Sequence, residues 1–258
     1  MSYQSLLKDT PAKEVAGFRV YALEETGSTN DDLLKLAKLG APDGVALSAL
    51  KQSKGRGRLD RTWLGKPGQS LALSVLLRPT KEEQAHLLRF TALAGLALLE
   101  VLKTRYGLQT MLKWPNDVLL DGAKVCGILT ESLWNGNQAD AVVIGIGVNL
   151  GKEAYQGQQN LRYKAVSLEE HLGYLVSVEE LRDALLESIQ NLRPGMIQED
   201  FIFSWNRNLA FVGERVQILN EKGETEWFRL KGVQSNGALL VEDMSGQLRQ
   251  LYSSEIAP

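Results

Sequence analysis

The sequence has very few of the residues that form disulfides and zinc sites. Its single cysteine, Cys126, has no internal partner, and its two histidines, His86 and His171, lie far apart. A Cys/His zinc site needs about four such ligands. No apolar run approaches the roughly 20 residues that span a bilayer, and the first residues lack the basic and apolar regions of a secretory signal. We therefore expect a cytoplasmic protein that makes no membrane contact.

No charge of one sign dominates the chain. It has 29 basic and 31 acidic residues, which give a formal net charge of -2. A global electrostatic attraction to DNA or to an acidic membrane is therefore not expected. The length of 258 residues and the apolar content of 44% are typical of one large globular domain with a small companion.

The hydrophobic pattern predicts an α+β fold in the first two hundred residues. Apolar runs bounded by turn residues predict strands at 18–23, 45–50, 70–77, 111–114, 118–120, 124–134 and 139–149. Helical spacing predicts helices after a cap at Ser28 or Thr29 and at 82–105, 167–172, 178–192 and 196–205. Because the last four strands follow one another without intervening helices, a mixed sheet packed with helices is favoured over a doubly wound sheet.

The pattern changes near residue 213. Short strands separated by turns such as Lys222-Gly223 follow at close spacing, which is typical of a small β-barrel. We therefore expect two domains, a larger α+β domain at residues 1–206 and a β-barrel at residues 207–258.

The segment from Lys51 to Lys66 concentrates positive charge between glycines. Its net charge is +5, in a chain whose net charge is -2. Arginine binds phosphate and carboxylate oxygens with two parallel hydrogen bonds, and glycines let a backbone approach a ligand closely. The pattern fits an anion site or a solvated loop equally well, and the lack of interleaved aromatic residues disfavours a nucleic-acid contact. The charged residues are Lys51, Lys54, Arg56, Arg58, Arg61 and Lys66, opposed by Asp60.

A second candidate site lies at the turn Lys113-Trp114-Pro115-Asn116-Asp117. Asp117 is there either as a turn residue or to hold Mg²⁺ or a nucleophile. Lys124 opens the next apolar strand, where alternation places it on one face with Cys126 and Ile128. A lysine at that position either extends past the strand end into water or points at a ligand.

The run 144–151 is rich in glycine but is not a dinucleotide fingerprint. Its glycines, at 145, 147 and 151, have the wrong spacing, and no Gly-Lys-Ser/Thr motif forms a P-loop. The glycines instead allow close approach of a ligand to the backbone, with Asn149 offering an amide to a base. Cys126 has apolar neighbours and no histidine nearby in sequence, so a buried, inert thiol is favoured over a nucleophile.

Together and in this order, the motifs resemble those of the biotin protein ligases. The resemblance covers nearly the whole chain, and the ordered combination of the Gly-Arg-Gly-Arg loop with the Lys-Trp-Pro-Asn-Asp turn is highly specific. The matching pieces are Glu25 to Asn30, Gln52, Gly55 to Arg58, Arg61, Trp63, Lys113 to Asp117, Lys124, Gly127 and Gly145 to Asn149.

Two features depart from this family. Some members carry an N-terminal DNA-binding domain, for which the sequence before Phe18 leaves no room, so we expect the short form and no DNA partner. Leu59 and Asp60 stand where other members often have basic or glycine residues. We therefore expect this loop to bind phosphate more weakly than the loops of those members.

The resemblance implies a catalytic α+β domain followed by an SH3-like β-barrel. It implies that ATP and Mg²⁺ activate biotin as biotinyl-5'-AMP, and that biotin then passes to a lysine of the biotin carboxyl carrier protein of acetyl-CoA carboxylase. The implied catalytic residues are Arg58, Lys124 and Asp117, with Asp117 also the candidate metal ligand. The implied biotin-binding residues are Ser28, Thr29, Asn30, Gln52, Gly55, Lys124 and Gly127. Those implied for ATP are Arg56, Gly57, Arg58, Arg61, Trp63, Lys113, Asn116 and Asn149.

Other functions remain open from the sequence. A lipoate or octanoate ligase or transferase shares the catalytic fold, and an octanoyltransferase would use a cysteine such as Cys126 without ATP. A non-catalytic binding protein is a third possibility. The sequence is compatible with a monomer or a homodimer.

Overall fold

Two separate β-sheets organise the chain. The structure is a computed structural model that describes residues 7, 10–59, 61–63, 65–155, 164–219 and 225–257. The first sheet contains β1 (Ala12–Val15), β2 (Phe18–Thr26), β3 (Val45–Gln52), β4 (Ser70–Leu77), β5 (Thr110–Lys113), β6 (Asp117–Leu120), β7 (Ala123–Asn135) and β8 (Gln138–Asn149). The second contains β9 (Arg215–Leu219), β10 (Thr225–Val233), β11 (Leu239–Glu242), β12 (Leu248–Leu251) and β13 (Glu255–Ala257).

Five α-helices accompany the sheets within the described residues. They are α1 (Thr29–Lys38), α2 (Arg89–Tyr106), α3 (Leu168–Leu172), α4 (Val178–Leu192) and α5 (Glu199–Arg207), with 3-10 turns at Glu83–His86 and Arg193–Gly195. Ser28 is the N-cap of α1, because its side chain accepts a hydrogen bond from the Asp31 N–H at 3.4 Å. No described helix is long and apolar enough to cross a membrane.

The first sheet is mixed, as predicted. Its strand order is β1-β2-β3-β4-β8-β7-β6-β5. Only β2 and β3 pair in parallel, and α1 connects them. The remaining neighbours are antiparallel, which confirms the predicted meander from β5 to β8.

Both faces of this sheet are covered, and they are covered differently. Strand β4 is buried along its whole length. Its Leu71, Leu73, Val75 and Leu77 belong to the core that includes α2 and α4, whereas Leu76 packs with α1. Because strand side chains alternate between faces, Ala72 and Ser74 point to the α1 side. The site described below lies on this α1 side.

Four elements differ from the sequence prediction. Strand β1 was not predicted, because its residues lie exposed at the sheet edge and show no apolar alternation. The predicted helix 82–105 is a 3-10 turn followed by α2, and the predicted helix 196–205 begins only at Glu199. The short strand β13 was also missed, since three residues carry almost no periodic signal.

The second sheet is antiparallel, with the order β12-β11-β10-β9-β13, in agreement with the small β-rich module expected after residue 213. The predicted turn Lys222-Gly223 lies outside the described residues. The predicted boundary at 206/207 falls in the last turn of α5, and it stays a prediction.

Buried polar contacts fix the second sheet to the helices. The Arg89 guanidinium donates to the carbonyls of Ser235 at 2.6 Å and Met196 at 2.7 Å. Asn206 donates to the Val233 carbonyl at 2.9 Å and accepts from the Val233 N–H at 2.7 Å. These bonds satisfy groups that would otherwise be costly to bury.

The core position of α2 generates a stability prediction. Phe90 is fully buried, so Phe90→Ala should lower the free energy of unfolding by about 3–5 kcal/mol through lost contacts and a residual cavity. Urea denaturation followed by circular dichroism measures the loss. The matched control is Phe203→Ala, because Phe203 is 70% exposed and its loss should change stability by less than about 0.5 kcal/mol. Equal effects of the two substitutions would contradict the assigned core.

Candidate active site

A cavity of about 410 Å³ opens on the α1 side of the first sheet. Its floor is formed by β4, β7 and β8, and one end by the start of α1. Residues 56–58 and 61–63 line another side of it, and residues of β9 and β13 from the second sheet complete the wall. Every site residue predicted from the sequence lines this cavity except Gly55.

Glycines on β7 and β8 open the floor to side chains from other elements. A Cβ on Gly145 would overlap the Asn30 amide, and one on Gly147 would overlap the Trp63 indole. A Cβ on Gly127 would crowd both Trp63 and Lys124. The glycine-rich run is therefore part of a strand whose glycines leave room for the side chains of Asn30 and Trp63, which agrees with the rejection of a dinucleotide fingerprint. The expected approach of a ligand to this backbone stays a prediction.

One end of the cavity is polar and neutral. Gln52 Oε1 accepts from the Thr29 backbone N–H at 2.9 Å. The Thr29 hydroxyl lies 2.6 Å from the Ser74 hydroxyl, which donates to Asn30 Oδ1 at 2.6 Å. The sequence analysis did not identify Ser74 as a site residue, although a serine in the middle of the apolar strand β4 is a sign that a polar contact is needed there. This end can recognise an uncharged head group that both donates and accepts hydrogen bonds.

The other end of the cavity is cationic and is organised around Asp117. Lys124 Nζ lies 2.5 Å from one Asp117 oxygen, and Lys113 Nζ lies 3.8 Å from the other. Lys113 is only 5% exposed. Burial lowers the pKa of its ammonium to about 8, although the Asp117 carboxylate opposes that shift.

A β-bulge places Lys124 in the cavity. On β6, Leu119 pairs with Lys124 and Val118 pairs with Cys126, so Val125 has no partner there. The extra residue interrupts the alternation, and Lys124 lies against Gly127. The expectation that Lys124, Cys126 and Ile128 share a face is therefore wrong, and the reading of Lys124 as a lysine that extends into water is not supported.

Cys126 faces the core instead of the cavity. It belongs to the buried cluster that includes α2, and it is fully buried. Burial raises the pKa of its thiol well above the usual range, which disfavours the nucleophilic thiolate. The predicted inert thiol agrees with this geometry.

The basic segment forms a closed hairpin over the cavity. The Gly57 N–H donates to the Arg61 carbonyl at 2.7 Å, and the Trp63 N–H donates to the Gly55 carbonyl at 2.8 Å. Gly55 serves this closure, because a Cβ there would overlap the Trp63 carbonyl. Asp60 lies outside the described residues.

Each arginine of the hairpin has a polar partner on a different element. Arg56 donates to Asp31 at 2.6 Å and to Glu131 at 2.7 Å. Arg61 pairs with Glu255 of β13. These three carboxylates gave no sequence signal, because they are scattered among many surface acids.

Arg58 lies deepest among these arginines and contacts uncharged groups. It donates to Asn116 Oδ1 at 3.3 Å and to the Ser253 hydroxyl at 3.3 Å. Burial lowers the pKa of its guanidinium, while Glu255 and Asp117 oppose the shift. Among the described residues, no carboxylate forms a hydrogen bond with the Arg58 guanidinium. An anion that enters the cavity could therefore bind Arg58 without displacing a carboxylate from it.

Two predicted nucleotide-binding side chains have structural partners. The Asn149 amide donates to the Val166 carbonyl at 3.1 Å, and the Asn116 amide donates to the Ile128 carbonyl at 2.9 Å. Both still line the cavity, and their contacts with a nucleotide stay predictions. The Trp63 indole N–H is buried and has no acceptor among the described residues, so it is a donor that a ligand could satisfy.

The residues around Asp117 do not fit a protein-held Mg²⁺. Within the described ranges, no group of three or more His, Cys, Asp and Glu side chains is placed to hold a metal. The oxygens of Asp117 already contact two ammonium groups, which would repel a divalent cation.

Comparison with known proteins agrees with this arrangement. Residues 23–149 match the model of the biotin/lipoate A/B protein ligase family. The biotin–[acetyl-CoA-carboxylase] ligase of Paracoccus denitrificans is 32% identical over 231 residues, which cover 87% of this chain and 95% of that protein. The bifunctional ligase/repressor BirA of Bacillus spizizenii is 29% identical over 246 residues, which cover 94% of this chain and 75% of that protein.

A solved structure supports the same relationship. Biotin protein ligase from Aquifex aeolicus, in complex with biotin and ATP, superposes with a TM-score of 0.75 at 30% identity. The match covers 92% of this chain and 97% of that one. The chain therefore belongs to the biotin protein ligases, within the biotin/lipoate A/B protein ligase family.

Proposed function

We propose that this protein is an ATP-dependent biotin ligase. The biotin carboxylate attacks the α-phosphate of ATP, pyrophosphate leaves, and biotinyl-5'-AMP forms. The amine of a lysine on a biotin carboxyl carrier protein then attacks the acyl carbon and releases AMP. The observation that carries this proposal is one cavity with a neutral polar end joined to a cationic end.

The two ends match the two parts of biotin. Its ureido ring is uncharged and has both N–H donors and a carbonyl acceptor, which suit Ser28, Thr29, Asn30 and Gln52 at the neutral end. Its carboxylate is drawn toward Lys124 and Arg58 at the cationic end. This orientation brings the nucleophilic oxygen to the place where the α-phosphate must lie.

Adenylation requires stabilisation of negative charge more than covalent chemistry. As pyrophosphate leaves, charge builds on phosphoryl oxygens, and preorganised cations stabilise it strongly in a cavity with little water. Lys124, Lys113, Arg58 and Arg61 supply that charge. Mg²⁺ enters our proposal only as the partner of ATP in solution, since the part of the chain that the structure describes offers no group of side chains placed to hold it.

Asp117 is suited to the transfer step. Its carboxylate is mostly buried beside Lys124, next to the place where the acyl phosphate would lie. It would orient the incoming lysine amine and assist its deprotonation before attack. The closed hairpin, described at residues 55–59 and 61–63, would keep water from hydrolysing biotinyl-5'-AMP.

Exchange of labelled pyrophosphate into ATP tests the proposal directly. Biotin should support exchange, while lipoate and octanoate should not. Exchange with lipoate alone would instead establish a lipoate ligase. A lack of exchange with all three acids would contradict an adenylating enzyme of either kind.

Lys124→Ala should slow adenylation severely. Loss of one preorganised donor to developing charge typically costs about 10²–10³ in rate, so pyrophosphate exchange with biotin should fall by about that factor. Lys103→Ala is the matched control, because Lys103 is exposed on α2, outside the cavity. An unchanged kcat/KM in Lys124→Ala would remove Lys124 from the mechanism.

The pKa of Lys113 generates a pH prediction. Its ammonium is charged below about pH 8 and neutral above it, so kcat/KM for ATP, which reports the free enzyme, should decline as pH rises through 8. Lys113→Met removes the titrating group, and its lower activity should show no decline at that pH. Persistence of the decline in Lys113→Met would assign it to another group.

An octanoyltransferase mechanism would require Cys126 as its nucleophile, whereas the burial of Cys126 predicts that the thiol is not needed for activity. Cys126→Ala should biotinylate the carrier domain within about twofold of the wild-type rate, since a buried thiol contributes no nucleophile. Carrier labelling with biotin and ATP measures this. Loss of transfer in a Cys126→Ala protein with unchanged circular dichroism would revive the octanoyltransferase alternative.

A further inference from the structure

Thr29, Ser74 and Asn30 form a chain of hydrogen bonds at the neutral end of the cavity. Which atom donates and which accepts in each bond follows from the groups that contact Asn30. The Asn30 amide contacts the Leu129 carbonyl at 3.1 Å and the Glu131 carboxylate at 2.9 Å. Both of these groups are acceptors, so the amide nitrogen must be the atom that faces them. Asn30 Oδ1 therefore faces Ser74, and it can only accept.

The orientation of the Asn30 amide determines which hydroxyl group donates in the other two contacts. Ser74 has one hydroxyl proton, and it donates that proton to Asn30 Oδ1 at 2.6 Å. In the 2.6 Å contact between Ser74 and Thr29, the donor must then be Thr29. Thr29 also lies 3.1 Å from Gln52 Oε1, an oxygen that can accept a second hydrogen bond. The shorter 2.6 Å contact with Ser74 nevertheless requires a proton between the two hydroxyl oxygens, and the Thr29 proton is the one left to supply it.

The consequence for a ligand concerns the Thr29 hydroxyl. Its only proton is committed to Ser74, so the hydroxyl oxygen presents lone pairs and no donor to the cavity. Buried hydrogen bonds of this kind are costly to break, because each of their members is almost fully buried. The polarity of this wall is therefore set before any ligand arrives.

We propose that Ser74 is a positioning residue that fixes the Thr29 hydroxyl as a hydrogen-bond acceptor, so that the neutral end selects a head group with an N–H beside Thr29. Ser74 acts through Thr29 and Asn30, on strand β4 beneath the cavity. This inference rests on the proposed function, because it assigns the ureido ring of biotin to the neutral end.

The test compares biotin with its two carbamate analogues, in each of which one ureido N–H is replaced by oxygen. Each analogue keeps the ring size but replaces one donor with an acceptor. Binding to the full-length protein is measured by calorimetry without ATP. Wild type should bind one analogue at least about tenfold more weakly than biotin, because two acceptors then face each other.

Ser74→Ala should reduce that preference to about threefold or less. Without Ser74, the Thr29 hydroxyl can rotate and donate to the ring oxygen of the analogue. General damage to the pocket would weaken both ligands together and leave their ratio unchanged. Ser74→Cys keeps a weak donor and should retain a preference closer to wild type. Ser48→Ala is the matched control, since Ser48 is a buried serine on the adjacent strand β3, outside the cavity.

The outcomes separate the two levels of the proposal. Absence of biotin binding to wild type would overturn both the proposed function and this inference. Biotin binding without discrimination against either analogue, or with the same discrimination in Ser74→Ala, would overturn the role of Ser74 alone. Loss of the preference in Ser74→Ala with its retention in Ser48→Ala is the result we expect.

Discussion

The site depends on holding several positive charges close together in a partly buried cavity. Such charges repel one another and lose hydration, so each must be compensated within the fold. Asp117 compensates Lys113 and Lys124, while Asp31, Glu131 and Glu255 compensate the hairpin arginines. The carboxylates also set the position of each cation. An entering phosphate therefore meets a preformed array and has to compete with the carboxylates that hold it.

The second sheet contributes to this balance. Glu255 and Ser253, at its end of the chain, contact Arg61 and Arg58 of the hairpin. The sheet can reach the hairpin because its backbone carbonyls accept hydrogen bonds from Arg89 and Asn206 of the helices and from Trp114 of the turn at 113–117. The small β-rich module thus supplies part of the cavity wall and of its electrostatics. In this structure its position is set by hydrogen bonds to carbonyl groups, which need a fixed geometry.

Most of the candidate site could be predicted because its residues fall in short, ordered motifs. The Gly-Arg-Gly-Arg loop, the turn at 113–117 and the glycines of β8 each carry a local pattern, and the structure brings them to one cavity. The residues that were missed act across the fold. Ser74 is visible only as a polar break in an apolar strand, and the partners of Arg56 and Arg61 lie 25 or more positions away in sequence. Spacing carries no information about such pairs.

The fold shows the same division between local and distant information. Long apolar elements such as β4 and α4 were predicted with their full extent, whereas β1 and β13 depend on pairing with a neighbour. The face of Lys124 could not be predicted, because a bulge is determined by how two strands pair, and composition does not report it.

The bulge at Val125 makes the register of β7 against β6 as important as its chemistry. Lys124 and Cys126 stand two positions apart, so a regular strand of the same length would turn both side chains to one face. The ammonium of Lys124 would then enter the buried layer that contains Cys126 and α2. Deletion of Val125 would instead make the two residues neighbours and would leave Lys124 on the cavity side. A change that made the strand regular without shortening it would therefore reverse a side of the sheet, whereas a substitution changes only one contact.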